Sequence, residues 1–383
     1  MSKRGPRIET RAVHAGREID AGSGAVVSPI HMSTTYERDA DGGYRRGYEY
    51  GRNGNPTRAL LEKALASLEG GATSATFASG TAACLAVLHT VGPGGHVLAT
   101  EDCYHGTLRQ LQELLPEMGI EASLVDTTDL DSVRSGLRDN TRLIWVETPS
   151  NPLLRISDIA ALAKLAHENG CRLACDNTFG TPVLQHPLSF GADYSVHSST
   201  KYIGGHSDVT GGAVIAARDD GHFEKVRRWQ SKGGAVPSPF DCWLQLRSLN
   251  TLPLRVRQQA ASALLLAEFL QNHERVSLVH YPGLSDHSGH ALAARQMRAD
   301  EQPRCGGVLS FEVRGGEAAA MSVAARTQLF IRATSLGGVE SLIEHRASVE
   351  GPDSKAPPGL LRLAVGIEHV EDLRSDLDQA LAR

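Results

Sequence analysis

Residues 195–208 read SVHSSTKYIGGHSD. A short β-type run reaches the hydroxyls of Ser198 and Thr200, Lys201 follows at once, and Gly204, Gly205 and His206 come next. A lysine on an open surface needs no such setting. One that follows a strand, abuts hydroxyl donors and precedes a glycine pair can be closed in by backbone. In a partly dry pocket its ammonium loses proton affinity, and the amine becomes a nucleophile able to form a Schiff base.

The flanking sequence places this lysine in a repeating pattern. Strand-like runs occur in SATFAS (74–79), GGHVLATED (94–102), RLIWVETP (142–149), RLACDNTF (172–179), ADYSVHSS (192–199) and GGAVIAA (211–217). Helix-like stretches separate several of them: GTAACLAVLHTV (80–91), GTLRQLQELLPEMG (106–119) and SDIAALAKLAHENG (157–170). This alternation predicts an α/β fold with a mainly parallel central sheet and helices on both faces. Ligands in such sheets bind at the carboxyl ends of strands, which is where Lys201 falls.

Both flanks differ in character. Residues 1–60 are irregular and rich in Gly, Tyr and Arg, as in DGGYRRGYEYGRNGNPTR (41–58), which predicts an extended arm. TRALLEKALASLEG (57–70) then reads as a helix capped by Thr57 and stopped by Gly70. We take 61–250 as the ligand-binding domain. Residues 251–383 read as a smaller α+β domain: a long helix (252–273), strands VSLVHYPGL (276–284), GGVLSFEV (306–313) and LLRLAVGIE (360–368), a helix near 317–326, and a last helix with Leu373, Leu377 and Leu381 at helical spacing.

Composition narrows the function classes. The 383 residues are 41% hydrophobic and 22% charged with a formal net charge of -5, and no basic stripe suggests nucleic acid. No apolar run reaches the roughly 18 residues that span a bilayer, and the first residues lack the apolar core of a secretory signal. Six scattered cysteines predict neither a disulfide scaffold nor, for Cys171 and Cys175, a zinc site. We expect a cytoplasmic protein with reduced thiols, no membrane partner and no metal.

Other polar residues fall just after strand-like runs. Ser79-Gly80-Thr81 opens a helix, where free N–H groups hold an anion. No G-x-x-x-x-G-K-[ST] motif occurs, which disfavours a nucleotide-phosphate loop. Asp176 ends RLACD and could pair with a cationic ring nitrogen, and Tyr104 in TEDCYHGT offers a flat ring for stacking. Each has an ordinary structural reading alone. Together they fit pyridoxal 5'-phosphate (PLP), which needs an amine for its aldehyde, an acid for its ring nitrogen, an anion cradle and an aromatic lid. Lys201, Asp176, the Ser79–Thr81 turn with Ser198 and Thr200, and Tyr104 supply these in turn.

YGRNGNPT (50–57), FASGTAA (77–83), ETPSNP (147–152), DNTF (176–179), SSTKYIGGHSDVTGG (198–212), GAVPSPFDCW (234–243), SLGGVESLIEH (335–345) and LLRLAVGIE (360–368) resemble, in order and spacing, the Cys/Met-metabolism PLP-dependent enzymes. The resemblance runs from about residue 8 to the C-terminus. It implies a fold-type-I PLP-dependent transferase that works as a homotetramer of two active dimers. Tyr50 and Arg52 of the arm would reach the cofactor phosphate of the neighbouring subunit. Gly80 and Thr81 would bind the same phosphate through backbone, and Arg362, with Asn151 and Ser335, would hold the substrate carboxylate.

It further implies that Lys201 binds the cofactor and moves the Cα and Cβ protons, with Tyr104 as acid for the leaving group. The pattern departs from the family at three places. Gly106 stands where methionine γ-lyases carry Cys, Thr334 stands where the cystathionine γ-enzymes carry Glu, and Arg346 opens an altered stretch through 358 in place of P-A-x-M-T-H. The expectation is a carbon–sulfur lyase, cystathionine γ-lyase first. A γ-replacing cystathionine γ-synthase is the alternative, and a methionine γ-lyase or another biosynthetic γ-substitution enzyme comes after both.

Overall fold

The computed structural model describes residues 5–299, 302–351, 354 and 356–382. Seven strands form the large sheet: β1 (Thr73–Phe77), β2 (His96–Thr100), β3 (Glu121–Val125), β4 (Thr141–Glu147), β5 (Arg172–Asp176), β6 (Tyr194–His197) and β7 (Gly212–Ala216). Their order is β1-β7-β6-β5-β4-β2-β3. Only β7 runs against its neighbours, so β1, β2, β4, β5 and β6 all end at the same edge.

Side-chain alternation explains the two helical layers. Along β4, Leu143 and Trp145 join the cluster that contains Phe77, Ala83 and Val87, whereas Ile144 and Val146 join Ile159, Leu162 and Ala166 on the opposite face. Strands buried on both faces read as apolar runs, and β1, β2 and β7 are buried at every residue. The edge strand β3 (EASLV) is exposed or half-buried throughout, so the sequence reading did not include it. Also unread were the helices Ile8–His14, Leu130–Gly136 and Pro239–Leu249.

The helix Pro56–Glu69 corrects one expectation. Its cap is Asn55, whose side chain accepts from the N–H groups of Thr57 and Arg58, and not Thr57. Pro56 has no N–H to satisfy and fits the first helical position, which moves the cap one residue ahead of it. The stop at Gly70 is as expected, at φ 74°. The single helix expected over 106–119 is interrupted by a π-type turn at Gln110–Leu114, just before Pro116.

In the C-terminal part, β8 (Val276–His280), β11 (Val308–Val313), β12 (Ile331–Arg332), β13 (Leu342–His345) and β14 (Leu360–Ala364) form a second sheet, ordered β12-β13-β14-β11-β8. β9 (Arg298–Ala299) and β10 (Gln302–Pro303) make a separate short ladder. Helices Leu252–Gln271, Gly316–Arg326 and Val370–Leu381 pack on the second sheet or on one another. Leu373, Leu377 and Leu381 are fully buried, each worth about 1.5–3 kcal/mol relative to exposure. One apolar cluster runs without a break from Leu61 and Leu65 to Phe311, Leu363 and Leu381, so the second sheet is seated against the first. β13 and β14 pair with Glu344 opposite Arg362.

Candidate active site

A cavity of about 220 Å³ lies where the strand ends of the large sheet meet the second sheet. Ser79, Gly80, Thr81, Tyr104, Asn151, Asp176, Ser198, Thr200, Lys201, Thr334, Ser335 and Arg362 all line it. Twelve positions spread over 284 residues of chain thus converge: parallel strands of the large sheet deliver the first nine to one edge, and the second sheet brings Thr334, Ser335 and Arg362 against it.

Lys201 stands one turn beyond β6. Its Nζ donates to Ser335 Oγ at 2.8 Å. Burial first, and then the positive charge of Arg362, push its pKa down to about 8. Ser335 holds φ 94°, an unusual conformation for a residue with a side chain; from it the hydroxyl meets Lys201 while the carbonyl accepts from Arg362 Nη2 at 3.1 Å. Of the glycines after Lys201, Gly204 is closed in as the sequence suggested, with the Ser199 carbonyl 3.1 Å from where a Cβ would sit, whereas a side chain crowds Gly205. A Cβ on Gly205 would sit 2.1 Å from Arg255 Nη1. Arg255 is buried, and it donates to the carbonyls of Tyr202 at 2.8 Å and Ser248 at 3.0 Å, fixing the loop from the outside. His206 is part of this fixing: its Nδ1 lies 3.0 Å from the Gly204 carbonyl.

The start of the helix Gly80–Leu88 is the place in the cavity where free N–H groups could hold an anion. Ser79 caps it by accepting from Ala82 N–H at 3.2 Å, and its Oγ lies 3.0 Å from Thr81 Oγ1. A Cβ on Gly80 would lie 2.7 Å from Ser198 Cβ, so only glycine brings the helix start against Ser198. Thr200 lines the cavity, but its hydroxyl is engaged elsewhere, donating to the Gly211 carbonyl at 3.2 Å and accepting Gly211 N–H at 2.9 Å. That makes Ser198 the stronger side-chain donor of the two.

Asp176 ends β5 and is buried. One oxygen accepts from Thr178 N–H at 3.0 Å and Thr178 Oγ1 at 2.6 Å. Burial raises its pKa against the pull of those bonds and of His197, so a cationic N–H partner would favour the carboxylate. Beside it, in register across the sheet, is Glu147 at the end of β4. Glu147 is held well above the carboxylate range by burial and by Asp176, and it accepts Tyr104 N–H at 2.8 Å. The Tyr104 ring rests over Gly106, where a Cβ would come within 2.4 Å of ring carbon Cε1. Tyr104 is 45% exposed, and burial of the rest of its side chain raises the phenol pKa above its usual value.

On the facing wall, Arg362 is buried and donates to Asn151 Oδ1 at 3.0 Å and to Glu344 Oε2 at 2.7 Å. Burial and the neighbouring Arg346 bring its pKa down to about 10. Two charged cavity residues were not predicted as site residues from the sequence, Glu147 and Arg346. Glu147 carried a readable signal, since it closes a strand one place over from Asp176. Arg346 follows β13 in the same way. Tyr50 and Arg52 are not among the residues that line this cavity. Arg52 lies over the Tyr50 ring at 5.7 Å and donates to the Ser231 carbonyl at 2.6 Å. Residues 352, 353 and 355 of the altered stretch lie outside the described residues. Among the described residues no His/Cys/Asp/Glu cluster fits a metal, all six cysteines are free and buried, and no helix is long and apolar enough to cross a membrane.

The sequence profile of the Cys/Met metabolism PLP-dependent enzymes matches residues 9–382. The chain belongs to this family. It is 48% identical over 378 residues to cystathionine gamma-synthase of Mycobacterium tuberculosis, covering 97% of this chain and 96% of the relative. The crystal structure of metB from Corynebacterium glutamicum superposes with a TM-score of 0.95 at 42% identity, over 99% of this chain and 98% of that one. CalE6 from Micromonospora echinospora, described as a cystathionine gamma lyase, gives 0.93 at 43% identity over 99% and 100%. As a family member the chain is a fold-type-I enzyme of cysteine and methionine metabolism that takes PLP.

The residues present fit that group. Lys201 offers a half-buried amine of lowered pKa, Asp176 a buried acid with one oxygen to spare, and Gly80 a bare helix start beside Ser198.

Proposed function

We propose that this enzyme cleaves the Cγ–S bond of sulfur amino acids, cystathionine first, yielding cysteine, 2-oxobutanoate and ammonia. The convergence of Lys201, Tyr104 and Arg362 on one cavity carries the reading. When bound, PLP supplies an electron sink next to the substrate α-carbon.

The chain's own residues do the rest. Arg362, braced by Asn151, holds the α-carboxylate by a charge-assisted fork. Lys201 Nζ takes the α-proton and later moves the β-proton, and Ser335 steadies the amine between the two. Asp176 keeps a proton on the cofactor's ring nitrogen. Tyr104, whose phenol stays protonated in the cavity, gives its proton to the departing sulfur. Ser79, Gly80, Thr81 and Ser198 bind the phosphate, with Thr200 as an outer member. Thr334 gives the side-chain end an uncharged wall, which supports a broad preference among sulfur side chains. Tyr50 and Arg52 complete the phosphate site of a neighbouring subunit in a tetramer built from two active dimers.

A second reading is γ-replacement, in which the cysteine sulfur bonds to Cγ of an O-acylated homoserine and the acyloxy group leaves as a carboxylate. It is favoured by the names of relatives at 46–48% identity, all cystathionine gamma-synthases. A product panel separates the two. The enzyme is incubated with cystathionine alone, and with O-succinyl- or O-acetylhomoserine plus cysteine. Release of 2-oxobutanoate from cystathionine supports the lyase. If cystathionine accumulates from the acylated homoserine and is not itself consumed, the lyase reading is wrong.

A further inference from the structure

The cavity contains two guanidiniums, and only Arg362 has a task in the reaction above. That task meets an obstacle. Glu344 Oε2 already accepts from Arg362 Nη2 at 2.7 Å, so a substrate carboxylate docking on Arg362 arrives beside a buried like charge. Arg346 lies across the same oxygen: its Nη1 donates to Glu344 Oε2 at 2.6 Å. Its Nη2 donates to Glu350 Oε1 at 2.7 Å, four residues on, which fixes the guanidinium along the helix Arg346–Glu350. Glu344 Oε1 and the Nε atoms of Arg346 and Arg362 are buried and have no hydrogen-bond partner among the described residues. The chain of charges is therefore Arg362, Glu344, Arg346, Glu350, with Glu344 shared between two cations. Take Arg346 away, and among the described residues Arg362 is the ion-pair partner left to Glu344. A buried carboxylate stripped of one partner leans harder on the other.

We propose that Arg346 is a positioning residue that draws Glu344 off Arg362, leaving Arg362 an open edge for the α-carboxylate of every amino-acid substrate. The inference rests on Arg362 as carboxylate anchor, which the proposed function assumes.

The test uses PLP-loaded enzyme and two ligands that lack a γ-leaving group: norleucine, and pentylamine, the same chain without its carboxylate. Binding of each is followed by the change in cofactor absorbance, so the choice between lyase and synthase does not enter. Arg346→Met should weaken norleucine about tenfold or more and leave pentylamine within about twofold, and in turnover KM should rise with kcat nearly unchanged. Arg346→Lys should recover part of the loss. Glu344→Gln alone should bind norleucine at least as tightly as the parent. In the Arg346→Met background it should restore norleucine to within about threefold of the parent, as expected for directly coupled neighbours.

The proposal is overturned if Arg346→Met leaves norleucine binding unchanged, if Glu344→Gln weakens it, or if the double variant stays as weak as Arg346→Met. It is also overturned if the loss is confined to amino acids with a second carboxylate, because Arg346 would then be reading the side-chain end. Failure of the anchor itself is a separate outcome: Arg362→Leu would leave the preference for norleucine over pentylamine intact, and that result removes the premise and not only the role of Arg346.

Discussion

The two walls of the cavity are built by different physics. On the large-sheet wall, backbone does the placing: strands end at one edge, and the short side chains of Ser79, Asp176 and Ser198 need little reach to converge with Lys201. On the second-sheet wall, long side chains are held by charge, in the run from Arg362 through Glu344 and Arg346 to Glu350. The first wall suits a cofactor that is always the same, since displacing it means moving a sheet. The second is set by mutual ion pairing, and one substitution redistributes it. The departures from the family pattern at Thr334 and Arg346 both fall on the second wall.

The sharpest break on the cofactor wall is Lys201→Ala. Loss of the group proposed both to hold the cofactor and to move the protons should reduce turnover by about a thousandfold or more, measured as keto-acid release. Asp176→Asn comes next. An amide cannot supply the negative charge that stabilises a protonated ring nitrogen, so kcat should fall on the order of 100-fold, while the melting temperature of the apoprotein holds or rises because a buried acid has been removed. Gly80→Ala puts a methyl 2.7 Å from Ser198 Cβ. It should weaken PLP binding by about tenfold, read by equilibrium dialysis, with the apoprotein still folded. A drop in substrate affinity with PLP binding intact would blur the division between the walls.

A smaller effect should appear in pH. Only the neutral lysine amine attacks the aldehyde, and the Lys201 pKa is lowered to about 8 from the ordinary 10.5. The rate of PLP capture by apoprotein should therefore climb with pH up to about 8 and level off above it. A rate still climbing between pH 8 and 10 would mean an ordinary exposed lysine. The same shift affects stability. With its folded pKa depressed, Lys201 costs nothing above pH 10.5, and the apoprotein loses stability as pH falls from there through about 8.

Much of the large-sheet wall was legible in the sequence because its signals are local: an apolar run, then a hydroxyl, an acid or a lysine. The strand β3 escaped because an edge strand is only partly buried and lacks such a run. The second wall was legible only in part. Arg362 was found through its motif, but its partnership with Glu344 comes from strand register between β13 and β14, which no local pattern encodes. Arg255, which closes the loop after Lys201, lies on a helix fifty residues on and gave no signal of its own. The cap of the helix Pro56–Glu69 was misread by two residues because Thr57 is a good cap type sitting behind a proline that fits inside the helix.

Everything proposed for this cavity depends on the lysine in SVHSSTKYIGGHSD carrying the cofactor. PLP-loaded enzyme is reduced with borohydride, which turns the carbon–nitrogen double bond between cofactor and amine into a stable single bond, then digested and mapped by mass spectrometry. The cofactor should be found on the peptide containing Lys201, in about one equivalent per chain. Reduced cofactor on another lysine, with Lys201 unmodified, would contradict it.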